Sequence, residues 1–189
     1  EEPSGDPFAQ LDRRLLALFE SHRLCRHVHL SLQSGCSTTL RRMRRPYDTG
    51  SFAGLVGTLR DAVPGLAVTT DVIVGFPGET DDEYERSLQF IQEIEFARIH
   101  AFPFSPRPGT AAVELDDPVP YPVKRQRMDR MLATARIARR SFEAGHLDTA
   151  VDVLWEYRRR AAWHGTTDNY LRLAEENGIG LHDLSQIEV

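Results

Sequence analysis

Asp71-Val-Ile-Val-Gly-Phe-Pro-Gly-Glu-Thr80 is the stretch on which the fold turns. An apolar strand runs into a Gly/Pro turn, and a helix opens directly behind it. Thr80-Asp-Asp-Glu83 has the spacing of a capping box for that helix. So abrupt a junction places residues at the carboxyl end of a parallel strand, where (β/α) enzymes keep their chemistry. The unbroken apolar run Val72-Ile-Val74 implies burial on both faces, as in a parallel sheet covered by helices. Glu79, Asp81, Asp82 and Glu83 crowd the start of the helix. They stabilise its positive end and would repel a phosphate. A neutral adenine lying along the backbone of Ile73–Gly75 fits the turn better, which makes Ile73 and Val74 candidate binding residues.

The same alternation extends to both sides. Leu11–Phe19 has helical apolar spacing, Val28–Gln33 alternates as a strand, and Ser34-Gly35 turns the chain. Ser37 is placed to cap a short helix that buries Leu40 and Met43 and stops before Pro46. Phe52, Leu55, Val56, Leu59 and Val63 mark a second helix ended by Pro64-Gly65. Leu66–Val74 is the next strand, and the helix behind it buries Tyr84, Leu88, Ile91 and Ile94. Ala97–Phe102 is a third strand leading to the Pro-rich loop Pro103–Thr110. Strand–helix alternation implies a parallel α/β architecture. About three strands are visible where a full barrel needs eight. The expectation is a partial parallel (β/α) barrel over residues 1–116.

Three prolines in Asp116–Pro122 read as a stiff linker. A long basic helix follows, within 117–146, and ends near Gly145. It has an apolar stripe of Met128, Met131, Leu132, Ala135, Ala138 and Phe142. Its other faces carry Lys124, Arg125, Arg127, Arg130, Arg136, Arg139 and Arg140. Residues 147–189 switch to β character at Ala150–Tyr157 and Asn169–Leu173, with Gly165, Gly178 and Gly180 as breakers. They read as a small all-β domain.

Composition bounds the function. The 189 residues are 41% apolar and 27% charged, as in a globular protein. No apolar run approaches the roughly 18 residues of a membrane span, and the first residues lack the features of a signal peptide. The absence of an initiator Met gives the start the look of a fragment. A net charge of −5 argues against indiscriminate nucleic-acid binding, yet bases cluster at Arg41–Arg45, along Lys124–Arg140 and at Arg158–Arg160. A locally basic face remains compatible with RNA. Two cysteines, Cys25 and Cys36, are too few for a disulfide framework or an iron–sulfur site and suit a reduced cytoplasmic chain.

Several side chains stand out as ligand contacts. Gln33, at a strand end, offers a neutral amide either to ribose or amino-acid groups or to solvent. Among the arginines around Met43, Arg45 just before Pro46-Tyr47 could grip a carboxylate bidentately, although such a run is also an ordinary solvated face. His27 and His29 share one strand face, but no partner residues at metal-ligand spacing accompany them, so they read as structural. Trp155, Tyr157, Trp163 and Tyr170 interleave with Arg158, Arg159, Arg160 and Arg172. That mixture serves base stacking and phosphate pairing, or the core of a small barrel.

Taken together, Gln33-Ser-Gly35, Met43-Arg-Arg-Pro-Tyr47, Val74-Gly-Phe-Pro-Gly-Glu79 and Ser105-Pro-Arg-Pro-Gly-Thr110 resemble the radical S-adenosylmethionine (SAM) methylthiotransferases. Gly165-Thr-Thr-Asp-Asn-Tyr170 is similar to the signature of their C-terminal TRAM domain, an OB-like RNA-binding β barrel. The run Cys25–Cys36 with Arg45-Pro-Tyr47 looks most like the MtaB branch, which modifies threonylcarbamoyladenosine beside the tRNA anticodon. The resemblance implies a cytoplasmic enzyme with SAM and two 4Fe-4S clusters, and tRNA as partner. One cluster would cleave SAM to a radical that abstracts hydrogen from the adenine ring, and the other would deliver sulfur. Gln33, Arg45, Ile73, Val74 and, on the fourth core strand, Glu2 would hold SAM. Arg158, Arg159, Arg160, Trp163 and Tyr170 would meet RNA. No CxxxCxxC occurs in the chain, so the cluster ligands would lie in a further N-terminal part of the same protein, and no catalytic or metal-binding residue is assigned here. The rivals are a ribosomal-protein methylthiotransferase, a coproporphyrinogen dehydrogenase-like enzyme and a non-catalytic RNA-binding module.

Overall fold

The computed structural model describes residues 13–19, 24–115, 118–175 and 184–188. It is a mixed α/β structure with two sheets. The first is parallel, in the order β1 (His27–His29), β2 (Ala67–Val74), β3 (Arg98–Pro103). Helices α2 (Ser37–Arg42) and α3 (Thr49–Ala62) connect β1 to β2, and α4 (Asp81–Ile94) connects β2 to β3. A short α1 (Arg13–Leu18) precedes β1. The long α5 (Tyr121–Ala144) follows β3 and packs back against β3, β2 and α4. Its Met131 therefore joins the core of Val68, Val72, Ile99, Phe52, Tyr84 and Ile91.

Local chemistry explains these boundaries. Thr80 caps α4 through the reciprocal bonds expected, Glu83 N–H to Thr80 Oγ1 and Thr80 N–H to Glu83 Oε2, both 3.1 Å. Asp48 and Ser51 form a second capping box on α3. Helix α2 departs from expectation. Its N-cap is Cys36, without a side-chain bond, and Ser37 instead pairs with Thr49 Oγ1 at 2.8 Å. The apolar stripe of α5 packs through Met128, Met131, Ala135 and Ala138 as expected, with one departure. Leu132 is exposed, while Arg127 and Thr134 are buried beside Met131.

Strand β1 is shorter than the alternation of Val28–Gln33 suggests, and a bulge is the reason. Leu30 N–H donates to Thr69 O at 2.9 Å, but Asp71 O receives its bond from Gln33 N–H, not from Leu32. Leu32 N–H is caught by Thr70 Oγ1 at 3.0 Å, and that hydroxyl donates to Leu30 O at 2.6 Å. One extra residue is thus accommodated, and Gln33 resumes pairing opposite Val72 with a positive φ of 69°. Gly35 follows because α4 passes so close: a Cβ there would sit 2.5 Å from Ser87 O.

The second sheet is antiparallel, in the order β6 (Arg172–Glu175), β5 (Ala162–Thr167), β4 (Ala150–Arg159), β7 (Leu184–Glu188). Val151, Val153 and Trp155 form its own small core, with Trp163 and Leu173 packed against it. Strand β5 has no turn signal ahead of it in the sequence, because its hairpin carries no glycine. Arg160 (φ 50°) and Ala161 (φ 66°) make the turn with two left-handed residues. Asn169-Tyr170, expected to start a strand, is instead a turn ahead of β6.

Candidate functional site

The carboxyl edge of the parallel sheet gathers most of the residues expected to bind SAM. Gln33 and Ile73 are joined directly, Ile73 N–H donating to Gln33 O at 2.8 Å. Val74 O accepts from Phe104 N–H at 2.8 Å, so the rim runs from Gln33 across Ile73 and Val74 to Phe104. Gln33 is nine-tenths buried, and its side-chain amide makes no hydrogen bond among the described residues. Arg45 lies exposed on the loop behind α2. Two residues on, Tyr47 Oη donates to Ser31 O at 2.7 Å and ties that loop to the bulge carrying Gln33. Glu2 lies outside the described residues. Of the neighbouring arginines, Arg42 is structural, since it grips Glu83 with two bonds of 2.8 and 3.1 Å. Burial pushes the Glu83 carboxyl up, but Arg42 and the Thr80 N–H outweigh it, and the net direction is down.

Beneath the rim the sheet face turned away from the helices is polar. His27 and His29 both contact Thr69 Oγ1, at 3.1 and 3.0 Å. His29 also approaches Asp71 Oδ2 at 3.3 Å, and its ring centroid lies 6.2 Å from that of His100 on β3. Burial, then the neighbouring His29, lowers the pKa of His27. Among the described residues no group of three or more His, Cys, Asp or Glu side chains is placed to hold a metal ion.

The turn Gly75–Gly78 is locked by Glu79, a residue whose place in the sequence suggests only an electrostatic helix starter. Glu79 points inward: its carboxylate accepts from Gly75 N–H at 2.9 Å and from Arg127 Nη1 at 2.8 Å. The side chains of Glu79 and Arg127 are 2% and 7% exposed, so this is a buried ion pair. Burial raises the pKa of Glu79 against these opposing contacts. Arg127 Nη2 reaches Asp81 at 2.6 Å, and its Nε has no partner among the described residues. Spacing places Arg127 among the basic face of α5, so only the long-range contact with Glu79 identifies its role.

Part of that basic face is committed too. Arg130 pairs with both oxygens of Glu85 and lies, like Arg127, 5.3 Å from the Tyr84 ring centroid. Tyr84 Oη donates to Arg127 O at 2.7 Å, and burial pushes its pKa up to about 12. Lys124 Nζ donates to Phe104 O at 3.2 Å. Arg125, Arg136 and Arg140 are exposed without such a partner among the described residues.

The residues proposed for RNA fall at two places. Arg158, Arg159 and Arg160 are exposed at the β4–β5 hairpin, with Arg158 paired in register with Trp163. Beside them the Tyr157 and His164 rings stack at 5.0 Å. Tyr170 lies beyond the other end of β5, about 20 Å away by strand rise. It packs on His27 at 4.3 Å. Trp155 is 2% exposed and belongs to the core.

Cys25 precedes β1, and Cys36 follows the bulge beyond it. Two thiols are fewer than the four that a 4Fe-4S cluster takes. The thiols present do not fit an iron–sulfur group.

Comparisons with known proteins bear on the family. Residues 4–91 match the family model of the radical SAM superfamily. The chain is 36% identical over 167 residues to the Bacillus subtilis threonylcarbamoyladenosine tRNA methylthiotransferase MtaB, covering 86% of this chain and 37% of that protein. To the Thermotoga maritima protein of the same name it is 43% identical over 125 residues, 66% of this chain and 29% of that one. A Mycobacterium marinum tRNA-2-methylthio-N(6)-dimethylallyladenosine synthase is 41% identical over 130 residues, 69% and 25% of the two chains. The aligned regions thus span well under half of each relative.

Proposed function

The chain belongs to the radical SAM methylthiotransferase family, and from that premise we propose that it is the C-terminal portion of an enzyme adding a methylthio group to C2 of threonylcarbamoyladenosine in tRNA. SAM, when bound, supplies this family with a methyl group and a hydrogen-abstracting radical. The rim suits SAM: Gln33, largely buried as a residue, offers an amide with no hydrogen-bond partner among the described residues, and Arg45 a guanidinium able to take the methionine carboxylate with two bonds. Ile73 and Val74 bring extended backbone to the same edge, along which the adenine would lie. The two 4Fe-4S clusters of the reading require ligands other than Cys25 and Cys36.

One observation favours the threonylcarbamoyl substrate over a dimethylallyl one. The sheet face below the rim carries His29, Asp71 and His100. Burying an apolar dimethylallyl group there would strip these polar groups of water, whereas a carboxylate- and hydroxyl-bearing side chain can hydrogen-bond with them. The antiparallel sheet is read as the TRAM-type module, with Arg158–Arg160 and Trp163 facing RNA. Mass spectrometry of tRNA nucleosides from a strain lacking the full-length gene tests the proposal. Loss of methylthiolated threonylcarbamoyladenosine, with the dimethylallyl derivative retained, is the expected result. The reverse pattern assigns the other substrate, and unchanged tRNA in both respects overturns the reading in favour of a ribosomal-protein target or a non-catalytic module.

A further inference from the structure

The two sheets meet at a joint on the amino-terminal side of the parallel strands, away from the rim. Asp168 takes Arg26 with two bonds of 2.6 and 2.9 Å, and Arg26 Nη1 also donates to Pro64 O at 3.0 Å. Asn169 Nδ2 reaches Gly65 O at 3.2 Å and His146 Nε2 at 3.0 Å. The proton positions here follow from partner identity. Thr167 Oγ1 accepts from Leu171 N–H at 2.9 Å, and its own proton goes to Asn169 Oδ1 at 2.5 Å in preference to Leu171 O at 3.5 Å. That fixes the amide orientation and turns both Nδ2 hydrogens outward, one to the Gly65 carbonyl and one to His146 Nε2. Nε2 must then accept, and Nδ1 carries the proton that it donates to Phe142 O at 2.8 Å. A neutral imidazole in the Nδ1–H form satisfies the network, while an imidazolium sets an N–H against the Asn169 amide hydrogens. Flipping the amide is no escape, because Oδ1 would then face Gly65 O.

We infer that His146 and Asn169 are positioning residues forming the proton-sensitive part of the joint between the arginine hairpin's sheet and the parallel sheet, the bond between them holding only while His146 is neutral. The charged groups around the ring are Arg26 and Asp168, which neutralise each other, Asp152 of β4 near Arg26, and Glu143 on its own helix, held by Arg139 at 2.7 Å. His27 lies beneath Tyr170 on the next residue of the turn. The joint is independent of whether the hairpin binds RNA.

Nuclear magnetic resonance on the whole chain tests it. At pH 7.5, long-range proton–nitrogen spectra should show His146 as the Nδ1–H tautomer. Residual dipolar couplings from β2 and β4 should fit a single alignment. On acidification to pH 5.5 the Asn169 side-chain and Leu171 backbone signals should move with the His146 ring. Exchange of the Leu171 amide, corrected for its intrinsic rate, should rise roughly tenfold for the lost buried bond. In His146→Gln, whose amide offers the same acceptor and donor without titrating, the joint should hold at both pH values. An Nε2–H tautomer in the wild-type chain, Asn169 and Leu171 signals indifferent to the ring, or a pH response retained in His146→Gln overturns the inference.

Discussion

Replacing Glu79 tests whether the rim turn is held from beneath. Glu79→Gln keeps the size and one acceptor for the Gly75 N–H but removes the charge opposite Arg127. Removing one partner of a buried pair costs about 3–5 kcal/mol. Arg127 retains Glu79 O at 2.9 Å and the exposed Asp81 carboxylate, so the lower end, about 3 kcal/mol, is expected. Glu79→Ala, which also strips the Gly75 N–H, should reach the upper end. Arg127→Met should cost about 2–3 kcal/mol, since the carboxyl can shed its charge by taking up a proton. The double variant Glu79→Gln/Arg127→Met should fall short of the summed losses by about 1–2 kcal/mol, because the second change removes a partner already lost. Urea denaturation followed by circular dichroism measures all four. In Arg127→Met the pH dependence has a defined sign: burial raises the folded-state pKa of Glu79, so the folded chain binds the proton before the unfolded one does. Stability of that variant should therefore climb relative to wild type as pH falls toward the carboxyl range. A loss below about 1 kcal/mol in Glu79→Ala, or strict additivity in the double variant, would refute the lock.

Gly75→Ala should destabilise by about 1–2 kcal/mol, the cost of a left-handed side chain. Its φ is 75° and its Cβ would lie 2.7 Å from Lys124 Cγ, so Lys124→Ala should relieve only the steric part; no loss in Gly75→Ala would show the turn to be relaxed. In the full-length enzyme, Gln33→Ala and Arg45→Ala should weaken SAM binding by calorimetry roughly ten- to a hundredfold, with Arg45→Lys a poor rescue. Wild-type affinity in Arg45→Ala would leave Arg45 a solvated arginine. Neutralising Arg158–Arg160 should weaken RNA binding and flatten its salt slope by up to about one unit per lost phosphate contact, and an unchanged slope would exclude these residues. His27 has a depressed folded-state pKa, so its contribution is complete above the unfolded value of about 6.5 and declines as pH falls from there toward the folded value. His27→Asn should flatten the denaturation midpoint between pH 7.5 and 5; an identical pH profile would contradict this.

Periodicity and capping, which act within about a dozen residues, are enough to read three strands alternating with helices. They also yield the capping box at Thr80–Glu83 and the rim position of Ile73 and Val74. The long helix ending at Gly145 is legible for the same reason. Other features depend on partners distant in the chain, and the tertiary structure alone supplies those. Arg127 reads as one of several surface arginines until Glu79, 48 residues earlier, is brought beneath it. Asp168 and Asn169 read as part of an RNA-module string until Arg26 and Gly65 meet them across the joint. The bulge that re-aims Gln33 needs the Thr70 hydroxyl of the neighbouring strand, and the β4–β5 hairpin is closed by Arg160 and Ala161 without a glycine to announce it. A buried polar group must find a partner wherever the fold supplies one, and no spacing rule within one element names that partner in advance.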